Sequence, residues 1–173
     1  NHVIAIDKLG NMYTWGLNSV GQLGNGDTKT LTTPEKINGV GNQVISVAAG
    51  KGITSIVDAN GDVYVFGDNS NEQIAKFEYD NITSLITKQM YTKPQKVQGI
   101  TDAVKVQIID ETLVVLKTDG SIVRISKYML NSDVQMETIA NGNMVDITSK
   151  DGNLMAIDRD GNLYTYGNNN EGK

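Results

Sequence analysis

The feature that most constrains the fold of this chain is an internal repeat. Four stretches align without gaps: Asp7–Gly16, Asp58–Gly67, Lys117–Ser126 and Asp158–Gly167. Each has a glycine at its fourth position (Gly10, Gly61, Gly120 and Gly161), and successive glycines are 51, 59 and 41 residues apart. A repeat of roughly 40–50 residues marks a propeller or a solenoid, in which each unit buries its faces only against its neighbours. Before each stretch runs a short apolar segment: Val3–Ile6, Ile53–Val57, Leu113–Leu116 and Leu154–Ile157. These are too short for helices and end in turn residues, so they predict strands. The glycine accepts positive φ and predicts a hairpin loop. A second strand then follows at Met12–Trp15, Val63–Phe66, Ile122–Ile125 and Leu163–Tyr166.

Further strands are expected near Pro34–Ile37, Pro94–Val97 and Met136–Ile139, and at Val44–Ala48, Val104–Ile108 and Met144–Thr148. Four short strands per repeat and no regular helix describe a propeller blade. The expected fold is all-β: one partial β-propeller domain, with repeats at approximately 1–43, 44–103, 104–143 and 144–173.

Composition narrows the chemistry. At 173 residues, 39% hydrophobic and 20% charged, the chain supports one packed domain. Fifteen basic residues against twenty acidic ones give a net charge of −5. An acidic surface without a basic cluster repels phosphate backbones, so no nucleic-acid partner is expected. No apolar run approaches the roughly 20 residues of a membrane helix, so no membrane insertion is expected. The absence of cysteine removes disulfides and thiol chemistry, and the single histidine is His2. Catalytic, cofactor-binding and metal-ligating residues are therefore assigned to none.

Asp58–Asp62 and Asp158–Asn162 look like calcium loops at first sight. A calcium-binding helix–loop–helix needs glycine sixth and glutamate twelfth. Here the glycine is fourth, and Asn69 and Asn169 occupy the twelfth positions. The hairpin reading is preferred. Trp15, Phe66 and Tyr166 hold equivalent positions, each followed by a glycine (Gly16, Gly67, Gly167). Such rings bury about 150–250 Å² each, so all three are expected to pack between blades.

One loop breaks the pattern. From Gly16 to Pro34 is 18 positions and from Gly67 to Pro94 is 27, an excess of nine within Asn69–Lys93. The loop carries Phe77, Tyr79 and Tyr91, and the spacing of Ile82, Leu85, Ile86 and Met90 allows a short helix over 82–90. Variable loops on a rigid scaffold carry binding function, so Phe77, Tyr79 and Tyr91 are the candidate partner-binding residues. Asn81-Ile-Thr83 also fits a glycosylation acceptor, a match that is common by chance.

The first repeat, Gly10-Asn-Met-Tyr-Thr-Trp-Gly16 followed by Asn18-Ser-Val-Gly-Gln-Leu-Gly24 and Gly26, resembles the regulator of chromosome condensation repeats. Ala48-Ala-Gly50 and His2 match further positions of that pattern. The third copy departs from it, with Ser126 in place of glycine and Tyr128–Val134 in place of the Asn-x-x-Gly-Gln-Leu-Gly loop. The resemblance implies a seven-bladed ring, of which this chain holds about three and a half four-stranded blades. It opens inside one blade and stops within the loop motif at Asn169–Lys173, which reads as a fragment of something longer. Remaining blades, or a second copy, are expected to complete the ring. The apolar residues Ile4, Ile6, Leu154 and Ile157 are expected on the unpaired faces.

The family includes a nucleotide-exchange factor for a small nuclear GTPase, chromatin binders, a plant ultraviolet-B receptor and secreted inhibitors of β-lactamase. The single tryptophan argues against the photoreceptor mechanism, which uses a tryptophan cluster, and the acidic charge argues against chromatin. The expected function is a non-enzymatic propeller scaffold for protein–protein interaction. The Asn-rich, Cys-free composition with lysine in place of arginine suits a bacterial secreted or cell-surface module of the binding or inhibitor kind. The alternatives are a glycan-binding or glycan-cleaving propeller, which needs paired carboxylates, and guanine-nucleotide exchange activity.

Overall fold

The computed structural model describes residues 1–167, so the loop motif at Asn169–Lys173 lies outside the described residues. Those residues form fourteen strands in four antiparallel sheets, with no helix among them. The first sheet contains β1 (His2–Ile6), β2 (Met12–Gly16) and β3 (Leu31–Lys36). The second contains β4 (Val44–Ala49), β5 (Ile53–Asp58), β6 (Val63–Asp68) and β7 (Met90–Lys96). The third contains β8 (Ala103–Ile109), β9 (Thr112–Lys117), β10 (Ser121–Lys127) and β11 (Gln135–Asn141). The fourth contains β12 (Met144–Lys150), β13 (Asn153–Asp158) and β14 (Leu163–Gly167). Each is a simple meander in chain order. Strand β4 packs beside β8, and β8 beside β12, so these three are the inner strands of an arc of blades. The chain is all-β and forms part of a propeller.

The repeat register is strict. Ile56 with Tyr64 in the second blade and Ala156 with Tyr164 in the fourth hold the same place in the repeat. Because side chains alternate across a strand, each blade has one face toward the preceding blade and one toward the next. Ile4, Ile6 and Met12 of the first blade pack with Ile56 and Phe66 of the second. Ile53, Val57 and Val65 of the second pack with Leu113, Val115 and Ile125 of the third. Val114, Leu116 and Ile122 of the third pack with Leu154 and Ala156 of the fourth. The core is thus a series of largely apolar seams between blades.

The repeat glycines are joints between blades. The carbonyls of Gly10, Gly61 and Gly120 accept hydrogen bonds of 3.0 Å from the amides of Val44, Ala103 and Met144, which begin or adjoin the next inner strand. At Gly61 φ is +82°, and an added Cβ would lie 2.7 Å from the Thr101 carbonyl oxygen. Gly161 has the same backbone conformation, φ +85°, but nothing lies within 4 Å of the position of a Cβ.

The structure corrects several expectations. β3 and β7 begin at Leu31 and Met90, before Pro34 and Pro94 rather than at them. Both are outer strands, where a missing N–H costs no ladder bond, and each pairs across a bulge. No helix forms over 82–90, because Ile82 and Leu85 find no surface to cover and are exposed. Ile4, Ile6 and Leu154 do not lie on open faces: the first two turn toward the second blade and Leu154 is buried against the third. Of the four residues expected there, Ile157 is exposed.

Trp15 and Tyr166 are not buried as expected. Phe66, at the equivalent position, has no exposed surface, whereas Trp15 is half-buried and Tyr166 exposed. Phe66 faces the first blade and presses its ring on Gly24. Trp15 faces away from the second blade, on the side of the arc where no other described blade stands. Tyr166 faces the third blade but meets the Arg124 guanidinium, with a 3.2 Å hydrogen bond to its hydroxyl, rather than an apolar wall.

Candidate functional site

The Asp-x-x-Gly turns are locked by their own first residue. Asp7 Oδ1 accepts from the amides of Leu9 and Asn11, and Oδ2 accepts from the Asn11 side chain at 2.7 Å. Asp158 repeats the arrangement with Asp160 and Asn162, and its Oδ2 also accepts from the Tyr164 hydroxyl at 3.0 Å. Asp58 accepts from the amides of Asn60 and Asp62. The side-chain hydrogen bonds from Asn11 and Asn162 are the largest cause holding the Asp7 and Asp158 carboxyls below 3.8. These carboxylates face inward onto turn amides and organise hairpins. In the third copy Lys117 replaces the aspartate and pairs with Asp102 at 3.0 Å, while Asp119 caps Ser121. Among the described residues, no three His, Cys, Asp or Glu side chains are placed to share a metal ion.

His2 joins the first two blades. The Thr54 hydroxyl donates to the Gln22 carbonyl at 2.7 Å, so it accepts from His2 Nε2 at 2.8 Å, which assigns the proton to Nε2. Burial first, and the amino-terminal charge second, lower the imidazole pKa from 6.5 to about 4. The unfolded chain therefore takes up a proton below pH 6.5 that the folded chain refuses until about pH 4. This contribution to stability is complete above pH 6.5 and is lost as the pH falls toward 4. Melting temperature is expected to fall between pH 7 and 4.5, and His2→Gln to flatten that slope. The displaced carboxylates act below 3.8, outside this window. Superimposable profiles for the two proteins would refute the role of His2.

The nine extra residues of the second repeat build a hairpin. A bridge joins Tyr79 and Ile86, the Thr87 amide donates to the Glu78 carbonyl at 2.8 Å, and the Asp80 amide donates to the Leu85 carbonyl at 2.9 Å. Asp80 Oδ1 caps the tip, accepting from the Ile82 amide and from the Thr83 amide and hydroxyl. Those bonds, the Thr83 amide first, hold the Asp80 carboxyl below 3.8. The base is pinned by Asn69, which is fully buried. Its amide group donates to the carbonyls of Ala75 and Lys88, and its oxygen accepts from the amides of Ile74 and Ala75. Asn18 plays the same part in the first repeat, donating to Asp27 and accepting from Leu23. Their recurrence two residues after Gly16 and Gly67 was the available sequence signal for these clamps.

The tip is apolar and open to solvent. Ile82 is 93% exposed, Leu85 66% and Tyr79 60%. Of the three aromatic residues singled out for binding, only Tyr79 is displayed. Phe77 is half-buried at the hairpin base, where its amide donates to Glu72 Oε1 at 2.9 Å. Tyr91 belongs to β7, pairs with Gly67 and packs against two core clusters; burial raises its pKa. Ile82 and Leu85, which the aromatic candidate set leaves out and whose spacing only allowed a short helix, are the other displayed side chains. Lys76 ties the hairpin base to Asp133 of the third repeat's loop.

A family model described as "Regulator of chromosome condensation (RCC1) repeat" matches residues 10–57, and a second of the same description matches residues 44–73. The chain is 40% identical over 95 residues to a Protein RCC2 homolog of Danio rerio, an alignment covering 54% of this chain and 19% of the relative. It is 25% identical over 181 residues to the E3 ubiquitin-protein ligase HERC2 of Homo sapiens, covering 96% of this chain and 4% of the relative. The chain thus spans less than a fifth of the length of either relative. Two solved structures share the fold. Human WBSCR16 superposes with a TM-score of 0.77 at 18% identity, over 98% of this chain and 46% of that one. Saccharomyces cerevisiae Prp20p superposes with a TM-score of 0.71 at 22% identity, over 97% and 42%.

Proposed function

Given a chain that belongs to the regulator of chromosome condensation repeat family, we propose that it is a non-enzymatic protein-binding scaffold that contacts its partner through the second-repeat hairpin. The observation that carries the reading is the exposed tip formed by Tyr79, Ile82 and Leu85. Burying one large apolar side chain on binding is worth about 1.5–3 kcal/mol, which makes an exposed set of three a contact surface of real strength. The hairpin is already folded by the Asp80 cap and the Asn69 clamp, so little ordering entropy opposes docking. A protein partner agrees with the structural relative Prp20p, whose reported binding properties concern Gsp1p and histones.

Deleting residues 79–87 tests the proposal. The cut joins Glu78 to Lys88, which already meet in a 2.5 Å ion pair beside the Thr87–Glu78 backbone bond, and it leaves the buried Ile74 in place. The variant is expected to keep the melting temperature of the parent within about 2 °C, as surface changes do. A photo-crosslinker at position 82 is expected to capture a defined protein that an affinity experiment with the shortened chain no longer recovers. Recovery of an unchanged partner set by the shortened chain overturns the reading.

A further inference from the structure

The seams between blades are closed at one end by loops. Between the first and second blades, the loop after β2 leans forward: the Leu23 carbonyl accepts from the Thr14 hydroxyl at 2.8 Å, and Gly24 lies on the Phe66 ring. Val20 stands over Gly52, 3.3 Å from where a Cβ would lie. Between the second and third blades, the loop after β6 does the same. The Asn71 amide group donates to the Glu111 carboxylate at 3.1 Å, and Ile74 is buried with Val65 and Ile125, the repeat equivalents of Thr14 and Phe66. The third repeat departs from this rule. Nine positions separate Ser126 from the start of β11, against fifteen from Gly16 to the start of β3. Its short loop turns back instead: the Leu130 amide donates to the Ile74 carbonyl at 3.0 Å, and Met129 is buried between the second and third blades. Among the described residues, none of its hydrogen bonds reaches the fourth blade.

That leaves a cleft of about 560 Å³ between the third and fourth blades, a size within the range of binding sites. Its walls are the repeat equivalents of what the first loop covers: Arg124 stands for Thr14, Gly152 for Gly52 and Tyr166 for Phe66. The Tyr166 hydroxyl at 3.2 Å and Glu137 at 3.1 Å each engage one terminal nitrogen of Arg124. A guanidinium carries five N–H donors in a planar fork, so others remain for a further acceptor. We propose that this cleft receives an extended, glycine-containing loop of a protein partner, which sets a backbone carbonyl on Arg124 and a glycine on the Tyr166 ring. The chain itself shows the chemistry of that occupant, because residues 20–24 make the two equivalent contacts between the first and second blades. Arginine in place of threonine suits an acceptor brought by another molecule: it reaches further, and its charge strengthens the bond. The cleft shares no residue with the tip formed by Tyr79, Ile82 and Leu85, so this surface is separate from the hairpin.

The probe is an end-capped peptide of residues 17–26, which has the sequence of the first loop and no charge. Titrated to millimolar concentration into the 173-residue chain, it is expected to shift the nuclear magnetic resonance signals of the Arg124 side chain and the Tyr166 ring. Arg124 is half-buried and pairs with an exposed Glu137, so Arg124→Val should leave the fold intact. That variant is expected to bind the peptide about tenfold more weakly, as loss of a hydrogen bond to a charged group does. A peptide with Gly24→Val should bind no better than a scrambled one, because a side chain there meets the ring. The chain lacking residues 79–87 should bind the parent peptide unchanged, which keeps this result separate from the test of the hairpin. Unmoved signals at Arg124 and Tyr166, equal binding by Arg124→Val, equal binding of the Gly24→Val peptide, or loss of binding on removal of the hairpin would each overturn the proposal.

Discussion

Phe66→Ala is expected to cost about 3–5 kcal/mol of stability, the range for truncating a buried aromatic side chain. The ring has no exposed surface and packs with Met12, Ile37, Val44 and Ile56 in the seam between the first and second blades. It also closes over Gly24, where an added Cβ would lie 2.6 Å from the ring. The loop that follows β2 is therefore seated on Phe66, and truncation opens a cavity under a backbone that cannot collapse freely. Trp15→Ala provides the contrast. Trp15 holds the same repeat position but is half-buried on an open face, so within a single chain its truncation should cost less than half as much. Urea denaturation followed by circular dichroism reads both variants. Equal losses for Phe66→Ala and Trp15→Ala would refute this difference in burial between the two repeat positions.

That contrast shows where the sequence was legible. Period, strand positions and glycine turns are local properties, written into each repeat by apolar runs and by residues that tolerate positive φ. The pairing of Val57 with Val63 and of Ile157 with Leu163 follows from them directly. The burial of Trp15, Phe66 and Tyr166 is not local. It depends on what stands across the seam, so residues equivalent in sequence differ in environment. The helix expected over 82–90 failed for a related reason. The spacing of Ile82, Leu85, Ile86 and Met90 satisfied a helical template, but an amphipathic helix needs a surface to cover. Here Met90 was recruited into β7 and Ile86 into the bridge with Tyr79, while the Asp80 cap fixed the turn. The irregular third repeat kept its blade. Tyr128 takes the left-handed conformation, φ +59°, two residues after the missing glycine, and Met129 fills the core beside it.

Gly61→Ala should be the more damaging of two chemically identical substitutions in the repeat turns. Both Gly61 and Gly161 have positive φ, at +82° and +85°, so alanine at either position pays the left-handed cost of about 1–2 kcal/mol. Only Gly61 carries a second penalty. Its Cβ position lies 2.7 Å from the Thr101 carbonyl oxygen and 3.1 Å from the Ala103 amide nitrogen, backbone atoms that cannot swing aside like a side chain. Relief requires moving the start of β8 away from the turn. That stretches the 3.0 Å bond from the Ala103 amide to the Gly61 carbonyl and loosens the seam in which Val63, Ala103 and Val106 are buried. Forcing a methyl group into such a packed site costs about a further 1–3 kcal/mol. The expected losses are therefore about 2–5 kcal/mol for Gly61→Ala and about 1–2 kcal/mol for Gly161→Ala. Equilibrium denaturation of the two variants gives the difference directly. If the losses are equal, the second and third blades are not joined through Gly61, and the turn glycines are there for backbone conformation alone.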